Sequence, residues 1–85
     1  MKAVFSNHAP DQMKLRRISV DTANEILNHP GSVIAENGIT IYQSVIIEDG
    51  KSYLIRIFVN DQKNPNLVIT AYKTSKISKY YEGKI

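Results

Sequence analysis

Eighty-five residues, 42% of them hydrophobic and 22% charged, predict a single folded domain over 1–85. A chain this short buries only about 60–65% of its unfolded surface, so its core is thin. The absence of cysteine excludes disulfide staples, thiolate metal sites and a cysteine nucleophile, and the net charge of +3 sits at one end: residues 1–72 balance seven bases against seven acids, while the last thirteen hold Lys73, Lys76, Lys79 and Lys84 against Glu82 alone.

In chain order, residues 1–5 read as a short strand or an ordered lead-in. Polar residues follow at once, too early for a secretory signal, and with no cysteine this fits a cytoplasmic protein. Ser6 or Asn7 caps a first helix that runs through Arg17, with Pro10 in its first turn, where a missing N–H costs little. Ala9, Met13 and the alkyl stem of Arg16 share one stripe of it. A second helix has Ser19 as N-cap and Val20, Ala23, Ile26 and Leu27 at core-facing spacing. His29-Pro30-Gly31 stops it.

From residue 32 the hydrophobic period becomes strand-like. Strands are predicted over 32–35, 39–47, 53–59 and 67–73, with Asn37-Gly38 and Asp49-Gly50 as tight hairpin turns and 60–66 as a polar loop. In the third strand Leu54, Arg56 and Phe58 share one side and Tyr53, Ile55, Ile57 and Val59 the other. The expected architecture is α+β: two N-terminal helices packed on a four-stranded antiparallel meander, with the opposite sheet face the more exposed. The end of the chain has two readings. A helical turn capped by Thr74 or Ser75 aligns Ile77, Tyr80 and Tyr81 and gathers Lys76 and Lys79 on one face; a strand sends those lysines to opposite faces.

His8 and His29 lie far apart, and neither has a second ligand at metal-binding spacing, so no metal or other cofactor is expected. The four glycines sit at turns or in the tail and make no phosphate loop. What remains suits metal-free phosphodiester chemistry. Cleaving RNA through its own 2′-hydroxyl needs a proton carrier, which histidine supplies best near neutral pH, and cations around the phosphorus. His8 stands at the start of the first helix, with Arg16 and Arg17 at its end. Thr70 and Tyr72 bring hydroxyls to one face of an otherwise apolar last strand, continued by Lys73. Each has a plainer reading: His8 as an exposed helix-start residue, Thr70 as a packed strand residue, Tyr72 as an aromatic at the core edge, and Arg56 as one half of an ion pair. Lysines interleaved with Tyr72, Tyr80 and Tyr81 offer charge for phosphates and rings for bases; a solvated basic terminus is the alternative.

Phe5-Ser6-Asn7-His8-Ala9, Met13, Arg16, Ile18-Ser19 and Val68-Ile69-Thr70-Ala71-Tyr72 together resemble a family of small bacterial and archaeal proteins catalogued as a domain of unknown function, whose pattern runs from a His-Ala pair to a closing Thr-Ala-Tyr strand. Gln12 stands where that pattern has arginine, and Arg17 where it has glycine. The layout also resembles, more distantly, small ribonuclease-like folds such as barnase, colicin nuclease domains and RelE-type toxins. The second resemblance implies a catalytic group of His8, Arg16, Thr70 and Tyr72; the basic residues Arg17, Arg56, Lys73, Lys76 and Lys79 are the expected nucleic-acid contacts. The expected function is a metal-independent ribonuclease, as in a toxin–antitoxin pair, with RNA and a cognate antitoxin or other small protein as partners and no membrane. The alternatives are a non-enzymatic module that binds RNA or protein, and a homodimer paired through its last strand.

Overall fold

The computed structural model describes residues 3–80. In order these form β1 (Ala3–Phe5), α1 (Ala9–Leu15), α2 (Val20–Asn28), β2 (Ser32–Glu36), β3 (Ile39–Glu48), β4 (Lys51–Asn60), β5 (Asn66–Thr74) and a single-turn α3 (Ile77–Tyr80). The α+β class stands, but the sheet has five strands, ordered β1-β5-β4-β3-β2, rather than four. It is mixed: β2 to β5 form the expected antiparallel meander, and β1 adds to β5 in parallel, pairing Ala3 to Phe5 with Asn66 to Val68. Tyr81 and Lys84, which figured in the reading of the tail, lie outside the described residues.

The helix limits follow from their caps. The Ser6 hydroxyl accepts from Ala9 N–H at 3.2 Å while His8 takes the N-cap place without a side-chain cap bond, so α1 starts at Ala9. It also ends earlier than expected, because Arg17 turns to a left-handed φ of 56° and leaves the helix. The second helix is as expected: Ser19 accepts from Thr22 N–H at 3.0 Å, the chain leaves at His29, and Ala23, Ile26 and Leu27 are buried. Both hairpin turns put two successive residues at positive φ, Asn37-Gly38 and Asp49-Gly50, as the primed turns that match strand twist require.

Ala9, Met13, Ile18, Ala23, Ile26 and Leu27 pack against Ile55, Ile57, Val59, Val68 and Ala71, with Phe5, Tyr42 and Ile46 at the margin. Each fully buried aliphatic side chain contributes about 1.5–3 kcal/mol, so this single layer between helices and sheet carries most of the stability. Val68 and Ala71 share that face although they are three apart, because a register shift opposite Phe58 and Val59 skips Ile69. Beyond this bulge Thr70, Tyr72 and Thr74 pair with Phe58, Arg56 and Leu54 on the opposite face. That face is less buried than the helix side, with Arg56, Phe58, Thr70 and Tyr72 half-buried, but it is not bare: Leu54, Ile41 and Gln43 on it are 0–1% exposed. The last strand is not a free edge either. β1 covers residues 66–68 and becomes one edge of the sheet, with Val4 48% exposed; β2 is the other edge, where Val33 is 51% exposed.

Candidate functional site

β1 ends at Phe5, so the β5 edge beyond Val68 has no strand beside it. Side chains from either end of α1 take its place. Ser6 donates its N–H to Val68 O at 2.8 Å and its hydroxyl to Ile69 O at 2.9 Å. Arg16 donates an Nη1–H to Ala71 O at 2.6 Å. The helix is thereby pinned along the strand, its N-terminal end at Val68 and Ile69 and its C-terminal end at Ala71. Buried or half-buried carbonyls left unpaired would cost about 1–3 kcal/mol each, so these bonds are part of the fold as well as of any site.

Arg16 continues across the edge, its guanidinium carbon 5.4 Å from the centroid of the Tyr72 ring. Tyr72 meets Tyr80 edge-on, with centroids 6.2 Å apart and planes at 78°. Tyr80 lies over Arg56 at 4.4 Å, and Arg56 over Phe58 at 5.4 Å. The result is a chain of two cations and three rings, Arg16–Tyr72–Tyr80–Arg56–Phe58, in which each cation–π contact is worth about 0.5–1 kcal/mol. Among the described residues Arg56 has no acid partner; its Nε–H donates to Gln43 Oε1 at 3.0 Å.

The candidate residues therefore fall into three groups. Arg16, Thr70 and Tyr72 meet at the α1–β5 seam. His8 stands at the other end of α1 from Arg16, roughly 12 Å along the helix axis. It is exposed, directly beyond the Ser6 anchor, and its side chain makes no capping bond. Among the described residues the hydroxyls of Thr70 and Tyr72 have no hydrogen-bond partner. Lys73 points to the opposite face from Tyr72; it is ion-paired with Glu48, and its ammonium lies 4.9 Å from the Tyr53 ring centroid and donates to Arg17 O at 3.4 Å. Arg17 and Lys76 are exposed, and Lys79 lies 5.4 Å from the Tyr80 ring. Among the described residues no group of three or more His, Asp and Glu side chains gathers at metal-ligand distances.

Four contributors were missed in the sequence: Ser6, Gln43, Glu48 and Tyr80 as the partner of Arg56. For Gln43 a signal existed; for Glu48 it did not, since the turn places it opposite Lys51 and its partner Lys73 lies on β5. The two-residue turn at Asp49-Gly50 fixes the β3–β4 register, and counting back from it places Gln43 opposite Arg56.

An α+β domain whose first helix is sewn to the edge of its last long strand is thus the class defined by fold and seam. The chain belongs to the family described as a domain of unknown function, DUF4258, which it matches over residues 5–73, from Phe5 at the end of β1 through Lys73 in β5. No curated protein and no solved structure matches it. No described helix is long and apolar enough to cross a membrane.

Proposed function

We propose that this protein is a small metal-independent ribonuclease working at the α1–β5 seam, in the manner of a toxin–antitoxin toxin in the cytoplasm. The observation that carries the reading is the set of hydrogen bonds from Ser6 and Arg16 to Val68, Ile69 and Ala71, which unites the two segments richest in candidate groups. Arg16 is anchored by one N–H and keeps further donors for phosphoryl oxygens. Thr70 and Tyr72 position the RNA backbone through their hydroxyls. Because His8 stands roughly 12 Å from Arg16 along the helix axis, the two act on different phosphates of a strand laid along α1, Arg16 holding one and His8 serving as general acid or base at another. There the 2′-hydroxyl loses its proton and its oxygen bonds to phosphorus, the 5′-oxygen leaves and takes up a proton, His8 carries one of these transfers and water the other, and a 2′,3′-cyclic phosphate is left.

Incubation with single-stranded and structured RNA in excess EDTA tests this. Cleavage to cyclic-phosphate ends is expected, reduced about 10²–10⁴-fold by His8→Ala. Cleavage of the same rate by His8→Ala removes the catalytic role of that residue, and intact RNA with the wild-type protein removes the enzyme reading.

A second reading, a non-catalytic RNA-binding module, is favoured by the cation–ring chain from Arg16 to Phe58, which resembles the mix of charge and stacking surface that single strands use. RNA bound without cleavage and with strong salt dependence selects it.

A further inference from the structure

α1 closes with a Schellman turn: Ile18 N–H bonds to Met13 O at 2.8 Å and Arg17 N–H to Lys14 O at 3.2 Å. Such a turn needs a left-handed residue after the C-cap, and Arg17 fills the place at φ 56°. Glycine adopts this conformation freely, whereas the Cβ of arginine crowds the backbone. The two other non-glycine residues at positive φ among those described are Asn37 and Asp49, whose types tolerate it well. Arg17 is the exception, and the bonds the fold gives it, N–H to Lys14 O and the carbonyl from Lys73 Nζ, are backbone bonds that any residue type could make. Its side chain is exposed, with no ion pair and no hydrogen bond among the described residues.

Its surroundings suggest what the side chain is for. Arg16, Arg17, Lys73 and Tyr53, with Glu48 and Asp49, line an open cleft of about 480 Å³. Lys73 neutralises Glu48, and the Arg16 guanidinium is held at Ala71 O and the Tyr72 ring, so Arg17 is the cleft's basic side chain with no ion pair or hydrogen bond among the described residues. Arg16 belongs both to this cleft and to the seam.

We propose that Arg17 is kept in its strained place because, together with Arg16, it binds a phosphodiester of single-stranded RNA that neighbours the one handled at the seam. The inference rests on the RNA reading above. Two adjacent guanidinium forks can each donate paired N–H groups to phosphoryl oxygens, which a lysine cannot reproduce.

Three variants separate strain from charge. Arg17→Gly removes both, Arg17→Ala keeps the strain and removes the charge, and Arg17→Lys keeps both but loses the fork. Arg17→Gly is expected to raise Tm by about 4 °C, and Arg17→Ala to leave it within about 2 °C. Binding is read with a fluorescent oligouridylate between 50 and 200 mM salt. Arg17→Gly and Arg17→Ala should each weaken it about tenfold and flatten the log–log salt slope by about 0.7, while Arg17→Lys weakens it but keeps the slope. An Arg17→Gly protein that binds with unchanged affinity and slope, or that melts below wild type, overturns the proposal. Should the wild-type protein bind no RNA, the RNA reading falls, and inorganic phosphate then decides the subsite. A phosphate-induced rise in Tm that Arg17→Ala abolishes retains an anion site, and no rise in the wild type removes it.

Discussion

Arg16 combines two tasks that pull on the same guanidinium. One N–H completes the hydrogen bonding of the β5 edge at Ala71 O, and the planar face lies against Tyr72. Removing the side chain costs the charged hydrogen bond and the ring contact together, so Arg16→Ala is expected to lower stability by about 1.5–3 kcal/mol in urea unfolding. Arg16→Lys should recover less than half of that, because an ammonium has no planar fork; full recovery would mean that charge alone matters here. Arg56 shows where residue-level reading stops. An arginine in the middle of an apolar strand announces that it needs a partner, and an acid is the commonest one. The partner is instead an amide, Gln43, with rings of Phe58 and Tyr80 on either hand. The amide was accessible by counting register from the turn, but Tyr80 was not, because nothing local says that α3 folds back over β4.

At the scale of elements, α1 was legible as a helix from Pro10 and the Ala9–Met13 stripe, yet its limits were not. Ser6 and Arg17 are drawn out of the helix by tasks elsewhere: Ser6 by the β5 carbonyls, Arg17 by the turn into Ile18, whose buried side chain joins Met13 in the core. The Ser6 hydroxyl donates to Ile69 O and accepts from Ala9 N–H, so it serves a strand edge and a helix start at once. Ser6→Ala therefore removes both, at an expected cost of about 1–2 kcal/mol, and should speed amide exchange at Ala9 in particular. Ser19→Ala offers the comparison. That hydroxyl caps only its own helix, through Thr22, and its loss should cost about 1 kcal/mol with faster exchange confined to the start of α2. Equal exchange profiles in the two variants would show that Ser6 is an ordinary cap.

For the whole molecule, the feature that local patterns could not reveal is the pairing of β1 with β5. Three residues are too few for a periodic signal, and their partners lie about sixty residues away, so the parallel contact is specified only once the meander and both helices are in place. Its consequence is global. β1 occupies the edge at residues 66–68, Ser6 and Arg16 occupy the next stretch, and among the described residues the edge strands are the three-residue β1 and the longer β2. A chain beginning at Ser6 would lose the ladder from Ala3 to Phe5 and the Phe5 ring that packs at the core margin. Its Tm is expected to fall by at least about 10 °C, since each kcal/mol shifts a domain of this size by about 4–8 °C. The bared Asn66–Val68 edge, next to the buried Val68, would also be a template for pairing between chains, so sedimentation at two concentrations should show more association than the full chain. Phe5→Ala separates the two effects: it takes the ring from the core but leaves the ladder, and should lower Tm without added association. If the shortened chain melts and sediments as the full one does, β1 is only an appendage, and the edge must be protected by the helix and its two anchoring side chains alone.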